Sequence, residues 1–85
     1  MAIQTGTIAA TGAKDSITLG GEFSLSLRDF GTATVVLERS LGGNAWGVVE
    51  SFTADTEKVG DSNGDLFRLN CTAYTSGTIA YTLQS

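Results

Sequence analysis

The chain has 85 residues and a net charge of −4, from 9 acidic residues, 5 basic residues and no histidine. Nucleic-acid binding needs clustered lysine and arginine to neutralise phosphates, so this scattered basic charge excludes that class of protein. A single cysteine, Cys71, and the lack of histidine exclude an intrachain disulfide, a Cys/His zinc site and a Cys–His catalytic pair.

The length corresponds to one domain, residues 1–85, with residues 1–15 as a candidate extended N-terminal arm. A domain of this size buries only about 60–65% of the surface that its unfolded chain exposes, so we expect partner chains to reinforce it. No run approaches the roughly 20 apolar residues that span a bilayer, and the N-terminus lacks a basic region followed by an apolar one. We therefore expect a protein that acts without export and away from membranes.

The chain predicts strands throughout, because apolar residues recur with a period of two and no window has helical spacing. Phe23–Arg28 alternates strictly, and Ala33–Ser40 is rich in β-branched residues. Trp46–Phe52 repeats the spacing except at Glu50, where we expect a bulge or a solvent-facing end. Weaker candidates are Gly6–Ala10, Ser16–Leu19 and Ala54–Val59.

The last third of the chain predicts a β-hairpin. Phe67, Leu69, Cys71 and Ala73 alternate with polar residues and with Tyr74, and Ile79, Tyr81 and Leu83 continue the series after a turn that contains Gly77. Cys71 is then a small buried apolar residue. About seven short strands separated by turns predict an all-β fold, a small antiparallel β-sandwich or barrel of the jelly-roll or Ig-like kind.

Two stretches contain residues that are candidates to bind a metal ion or another ligand. Asp61, Asn63 and Asp65 have calcium-like spacing, but glycine and the final acid are misplaced for an EF-hand loop, so we interpret 61–65 as a polar turn and expect no metal. Trp46 and Arg39 flank the Gly42–Gly43 pair and are candidates to clamp a glycan or peptide. We favour a hairpin in which Trp46 covers one end of the core and Arg39 makes a structural hydrogen bond across the turn.

The carboxylates do not predict an enzyme. Acid–base catalysis needs two titratable groups that converge in a cleft, and most of the acidic residues stand in turns or beside glycines. Glu38 and Glu50 are the two that fall in neighbouring predicted strands, but a domain this small offers no groove for the sugar that such a pair would hydrolyse. We expect no catalytic residues and no cofactor.

Four strings along residues 20–83 together resemble a group of small virion proteins of tailed bacteriophages: TVVLERS, FTAD, FRL and YTSGTIAYTL. The resemblance implies a non-enzymatic virion protein, made in the host cytoplasm, and first of all a capsid cement or decoration protein that bridges major capsid protein subunits. The alternatives are a head-fibre base, a tail accessory protein, or a β-sandwich module that binds a glycan or receptor. These implications come from the sequence resemblance alone.

The predicted alternation also leaves three side chains outside the core on strands otherwise faced with Thr, Ser and Asn: Val36, Val49 and Tyr74. If strand pairing gathers them into one patch, they form a contact surface. We therefore predict a protein interface there and a homo-oligomer, a trimer or dimer, at a capsid symmetry axis.

Overall fold

The computed structural model describes residues 3–40 and 45–85, and within them the chain is all-β, which confirms the predicted fold class. The strands are β1 Ile3–Ile8, β2 Gly12–Ala13, β3 Ile17–Arg28, β4 Thr32–Ser40, β5 Trp46–Phe52, β6 Thr56–Ser76 and β7 Ile79–Gln84. The predicted Gly42–Gly43 turn lies outside the described residues. None of the described residues belongs to a helix that could cross a membrane.

The strands form one antiparallel sheet in the order β1-β7-β3-β6-β4-β5, with β2 beside β6. One cluster of buried side chains extends across this sheet, from Ile8 on β1 through Leu25 and Leu69 to Phe52 on β5. Because the described residues form no other layer, the sheet can bury this whole face only by curling around it. The result is a small sandwich or barrel, whose inner side we call the core face and whose other side we call the outer face.

Two long strands make the curl possible. Residues 56–67 of β6 pair with β3, and residues 67–76 pair with β4, so β6 belongs to both halves of the curled sheet. The pairing of β3 with β6 shifts register between Leu19 and Gly20, which leaves Gly64 as an extra residue with φ +88°. A bulge with glycine in this conformation bends a strand and increases its twist.

This bulge corrects the interpretation of residues 61–65 as a turn. Asp61, Asn63 and Asp65 all lie within β6 and pair with β3. The Asn-Gly dipeptide that suggested a chain reversal instead provides the left-handed residue of a bulge, so the strand continues beyond it. Among the described residues, no three His, Cys, Asp or Glu side chains form a group that could hold a metal ion.

The predicted hairpin between residues 67–74 and 79–83 is wrong. The partners of β7 are β1 and β3, whereas the C-terminal half of β6 pairs with β4 and β2. The segment after Ser76 therefore passes from one half of the curled sheet to the other. Gly77, with φ +102°, makes this connection, and its Cα lies so near Gly31 that neither position has room for a side chain.

At the N-terminus, residues 3–8 of the candidate arm form β1 and pair with β7, and residues 12–13 pair with β6. Two local predictions, at Glu50 and at Cys71, are confirmed. A bulge lies beside Glu50, because Val49 is unmatched in the pairing of β4 with β5. Cys71 is a free thiol buried in the core, as its alternation with polar neighbours predicted.

Candidate interaction surface

The three predicted interface residues lie in three different environments. Val36 points to the outer face but is buried, at 6% exposure, whereas Val49 is 47% exposed. Tyr74 packs against the core cluster, and its hydroxyl donates a hydrogen bond to the carbonyl oxygen of Gly77. Only Val49 is thus an exposed surface residue, and a contact role for the three stays a prediction.

A bulge explains the position of Tyr74. In the pairing of β4 with β6, Thr34 is opposite Ala73 while Val35 is opposite Cys71, so Thr72 is an extra residue. One extra residue reverses the facing of the side chains that follow it, up to the next register shift, at which Thr75 is unmatched. Ala73 consequently points to solvent, and Tyr74 turns toward the core, opposite to the predicted alternation.

Trp46 also differs from its predicted role. It is half-buried and lies outside the core cluster, on the outer face opposite Ser40. The arginine that contacts its ring is Arg68, not Arg39. Arg39 Nη1 lies 4.0 Å from Asp65 Oδ2 on β6, so its ion pair does not cross the β4–β5 hairpin.

Glu38, Arg68 and Trp46 form a connected group on the outer face of β4, β5 and β6. The Nε of Arg68 donates to Glu38 Oε1 at 2.6 Å, and Asn70 Nδ2 donates to Glu38 Oε2 at 3.4 Å. The guanidinium carbon of Arg68 lies 4.2 Å from the centre of the Trp46 ring. Glu38 is the one buried charged residue among the described residues, so this group fixes Arg68 and Trp46 in position.

Apolar side chains surround this group. Val48 pairs with Glu38 and is 63% exposed, and Val49 is its unmatched neighbour on β5. Leu66, two residues before Arg68 on β6 and hence on the same face, is 42% exposed. We call this surface the Trp46 face and define it by these residues: Val36, Glu38, Trp46, Val48, Val49, Leu66, Arg68 and Asn70.

The two acids predicted in neighbouring strands, Glu38 and Glu50, have separate partners. Both oxygens of Glu38 accept hydrogen bonds from β6, so its carboxylate is engaged in holding the strands together. Glu50, the other acid predicted near it, pairs opposite Leu37 and therefore lies on the opposite face of the sheet. Its carboxylate forms an ion pair with Lys58 Nζ at 2.5 Å. The structure does not bring Glu38 and Glu50 together as a catalytic pair.

Sequence reasoning did not single out Arg68, the residue that joins Glu38 to Trp46. Its local signal is a positive charge between two core residues, Phe67 and Leu69, which is ordinary for the solvent side of a strand. The pairing of β4 with β6 brings it beside Glu38, which is 30 residues away in sequence. No local pattern encodes a contact at that separation.

Comparison with known proteins supports the fold class alone. No protein-family model matches the sequence, and no curated protein matches it. The chain is similar in structure to the Yersinia pseudotuberculosis-derived mitogen, with a TM-score of 0.59 and 21% sequence identity. The alignment covers 96% of this chain and 82% of the mitogen. At this identity the similarity establishes a shared all-β fold and does not extend to activity.

Proposed function

We propose that this protein is a non-enzymatic structural protein of a phage virion, and that it decorates the capsid by binding major capsid protein subunits through the Trp46 face. The observation that carries the proposal is the composition of that face. An aromatic residue and an arginine, held by a buried carboxylate, are surrounded by three exposed apolar side chains. Tryptophan and arginine are the residue types that most often dominate the binding energy of protein interfaces.

The arrangement favours a protein partner over a glycan. A sugar ring binds by stacking on an aromatic face, but Arg68 already covers one side of the Trp46 ring. Val48, Val49 and Leu66 provide apolar area without hydrogen-bonding groups, whereas a sugar ring presents many hydroxyls. Apolar area gains about 25 cal/mol per Å² when it is removed from water, before the costs of association are subtracted.

The mechanism is stabilisation by mass action. A decoration protein that binds across a junction of assembled subunits, and does not bind the separate subunits, shifts the equilibrium toward the closed shell. A dimer or trimer at a symmetry axis places several copies of the Trp46 face on one junction, and multivalency then strengthens weak single contacts. The sequence resemblance to virion proteins agrees with this role.

Val48→Asp tests the proposal, because Val48 is exposed and its replacement removes no core contact. Ile3→Asp is the matched control, since Ile3 is 57% exposed on β1, away from the Trp46 face. In co-sedimentation with capsids of the parent phage that lack this protein, Val48→Asp is expected to lose occupancy while Ile3→Asp retains it. Equal occupancy of the two variants contradicts the Trp46 face as the capsid contact, and no binding by the wild-type protein contradicts the function itself.

A further inference from the structure

The two outermost strands of the sheet, β1 and β5, differ in their protection against pairing with another chain. β5 contains a charged residue, Glu50, and a bulge at Val49, and both features hinder the addition of a further strand. β1 has neither feature. Ile3–Ile8 pairs with β7 in one continuous register, and residues 3–13 contain no charged side chain. Among the described strands, β1 pairs with β7 alone, and we call its other side the open edge.

A side-chain hydrogen bond shows which backbone groups of β1 face the open edge. Thr5 Oγ1 donates to the carbonyl oxygen of Tyr81 at 3.0 Å, so that carbonyl points from β7 toward β1. Tyr81 is opposite Gly6, and Gly6 is therefore a residue that bonds to β7. Because bonding alternates along an antiparallel strand, the N–H and C=O groups of Ile3, Thr5 and Thr7 point to the open edge.

The residues along the open edge are accessible. Ile3 is 57% exposed, and Thr5, Gly6 and Thr7 are exposed as well. On an edge strand, such outward-pointing N–H and C=O groups form a template for another strand. We propose that a second copy of this chain pairs with the open edge. The two β1 strands then run antiparallel about a two-fold axis, and the sheet continues from one copy into the other.

Two-fold symmetry and the outward-pointing groups together define the register of this pairing. With Thr5 opposite Thr5 of the second copy, Ile3 is opposite Thr7, and all three outward-pointing residues exchange hydrogen bonds. A shift by two residues would leave either Ile3 or Thr7 without a partner in β1. In the proposed register, threonine and isoleucine side chains also form cross-strand pairs on the outer face.

The charge of the chain favours a second copy as the partner strand. Each copy has a net charge of −4, so two copies repel each other on average. Pairing of β1 with β1 brings no charged side chains into opposed positions, since the strand contains none. A two-fold contact also covers both open edges at once, so the assembly ends at a dimer.

The first measurement is the mass of the isolated wild-type protein by sedimentation equilibrium, at concentrations up to about 100 µM. We expect a reversible dimer. A monomer at every concentration overturns the proposal, and so does a trimer, because a two-fold contact cannot close a ring of three.

Thr5→Lys and Thr5→Glu test the register. Each variant alone places two like charges opposite each other on the two-fold axis, so each is expected to dimerise at least about tenfold more weakly than the wild type. An equimolar mixture of the two variants is expected to form a heterodimer, because lysine then lies opposite glutamate. Unchanged dimerisation of the single variants, or no heterodimer in the mixture, overturns the proposal.

Two control variants separate the contact from other effects. Thr5→Val loses the hydroxyl that bonds to Tyr81, as the charged variants do, but adds no charge and is expected to remain dimeric. Ser51→Lys adds a charge to an exposed position of β5, the other outermost strand, and is also expected to remain dimeric. Loss of the dimer in either control overturns the proposal.

This inference is independent of the proposed function, because dimerisation is measured without capsids. The Trp46 face is built on β4, β5 and β6, and β1 is at the other end of the strand order. Val48→Asp is expected to dimerise like the wild type. Ile3→Asp is also expected to remain dimeric, since its charge lies opposite Thr7 and not opposite a like charge. Loss of capsid binding with a retained dimer, or the reverse, therefore assigns a failure to one proposal alone.

Discussion

Arg68 covers one face of the Trp46 ring while its side chain donates to the buried carboxylate of Glu38. The guanidinium group of Arg68 thus lies between the buried carboxylate of Glu38 and the half-buried ring of Trp46. Its two contacts lie on different strands, β4 and β5, and both depend on the register of the sheet. The stability of the sheet and the shape of the Trp46 face are therefore linked through one side chain.

Replacing Arg68 with methionine should destabilise the protein. Glu38, which is only 8% exposed, would then keep one hydrogen bond, from Asn70. Removing one partner of a fully buried ion pair costs about 3–5 kcal/mol. Because the Arg68 side chain is 27% exposed, we expect a smaller loss, about 2 kcal/mol in the free energy of unfolding by urea.

Arg39→Met is the matched control for that substitution. The Arg39–Asp65 pair is well exposed and 4.0 Å long, so its loss should change the unfolding free energy by less than about 0.5 kcal/mol. Adding Glu38→Gln to Arg68→Met should recover part of the loss, since it removes the unpaired charge. If Arg68→Met costs no more than Arg39→Met, the Glu38–Arg68 pair is not a stabilising contact.

Gly64 is the extra residue of the bulge in β6, and Gly20 lies beside this bulge on β3. Replacing each of them with alanine should change the stability of the protein in opposite directions. Gly64 has φ +88°, where an L residue is strained by about 1–2 kcal/mol, so Gly64→Ala should lower stability by about that amount. Gly20 has a negative φ and open space around its Cα, so Gly20→Ala should stabilise by about 0.4–1 kcal/mol through the unfolded state. Effects of the same sign in thermal unfolding contradict the bulge at Gly64.

Gly31→Ala should be the most damaging of the glycine substitutions. A Cβ at Gly31 would lie 2.2 Å from the carbonyl oxygen of Ser76 and 2.8 Å from the Cα of Gly77. Both are backbone atoms, so the segments that cross between the halves of the sheet must separate. We expect a loss of about 3 kcal/mol or more, measured by urea unfolding. An effect as small as that of Gly20→Ala would show that these segments do not cross closely.

The protein should lose stability in alkali through Tyr81. Burial, and secondarily the negative charge of Asp15, raise the pKa of Tyr81 above its ordinary value of 10.0. Below pH 10.0 the tyrosine is protonated in both the folded and the unfolded state, and its contribution to stability is complete. As the pH rises from there through the folded pKa, the unfolded chain releases its proton first, and that contribution is lost.

Tyr81→Phe provides the measurement for this pH dependence. The variant should show a smaller fall in unfolding free energy between about pH 9 and pH 11 than the wild type, because it has no phenol to titrate there. Tyr74→Phe is the control, since Tyr74 is only half-buried. Parallel pH profiles for the wild type and Tyr81→Phe would contradict a raised pKa for Tyr81.

The sequence by itself determined the strands at residues 23–28, 33–40 and 46–52 and the side chains that form much of the core. Phe23, Leu25 and Leu27 lie where their alternation placed them, as do Phe67 and Leu69. The reason is local: successive side chains of an extended chain point to opposite faces, so a run of alternating residues has one favourable orientation. The bulge beside Glu50 was predictable for the same reason, because a charge interrupts the apolar series there.

Only the tertiary structure decided which strands pair and where the alternation changes phase. The extra residue at Thr72 turns Tyr74 inward, and the left-handed Gly64 keeps β6 continuous through a stretch that looks like a turn. The pairing of β7 with β1 and β3, the opposed carboxylates of Glu22 and Asp61 and the contact of Arg68 with Glu38 all follow from register between distant strands. Register is fixed by the free energy of the whole sheet as it closes around one core, and no short stretch of sequence contains that information.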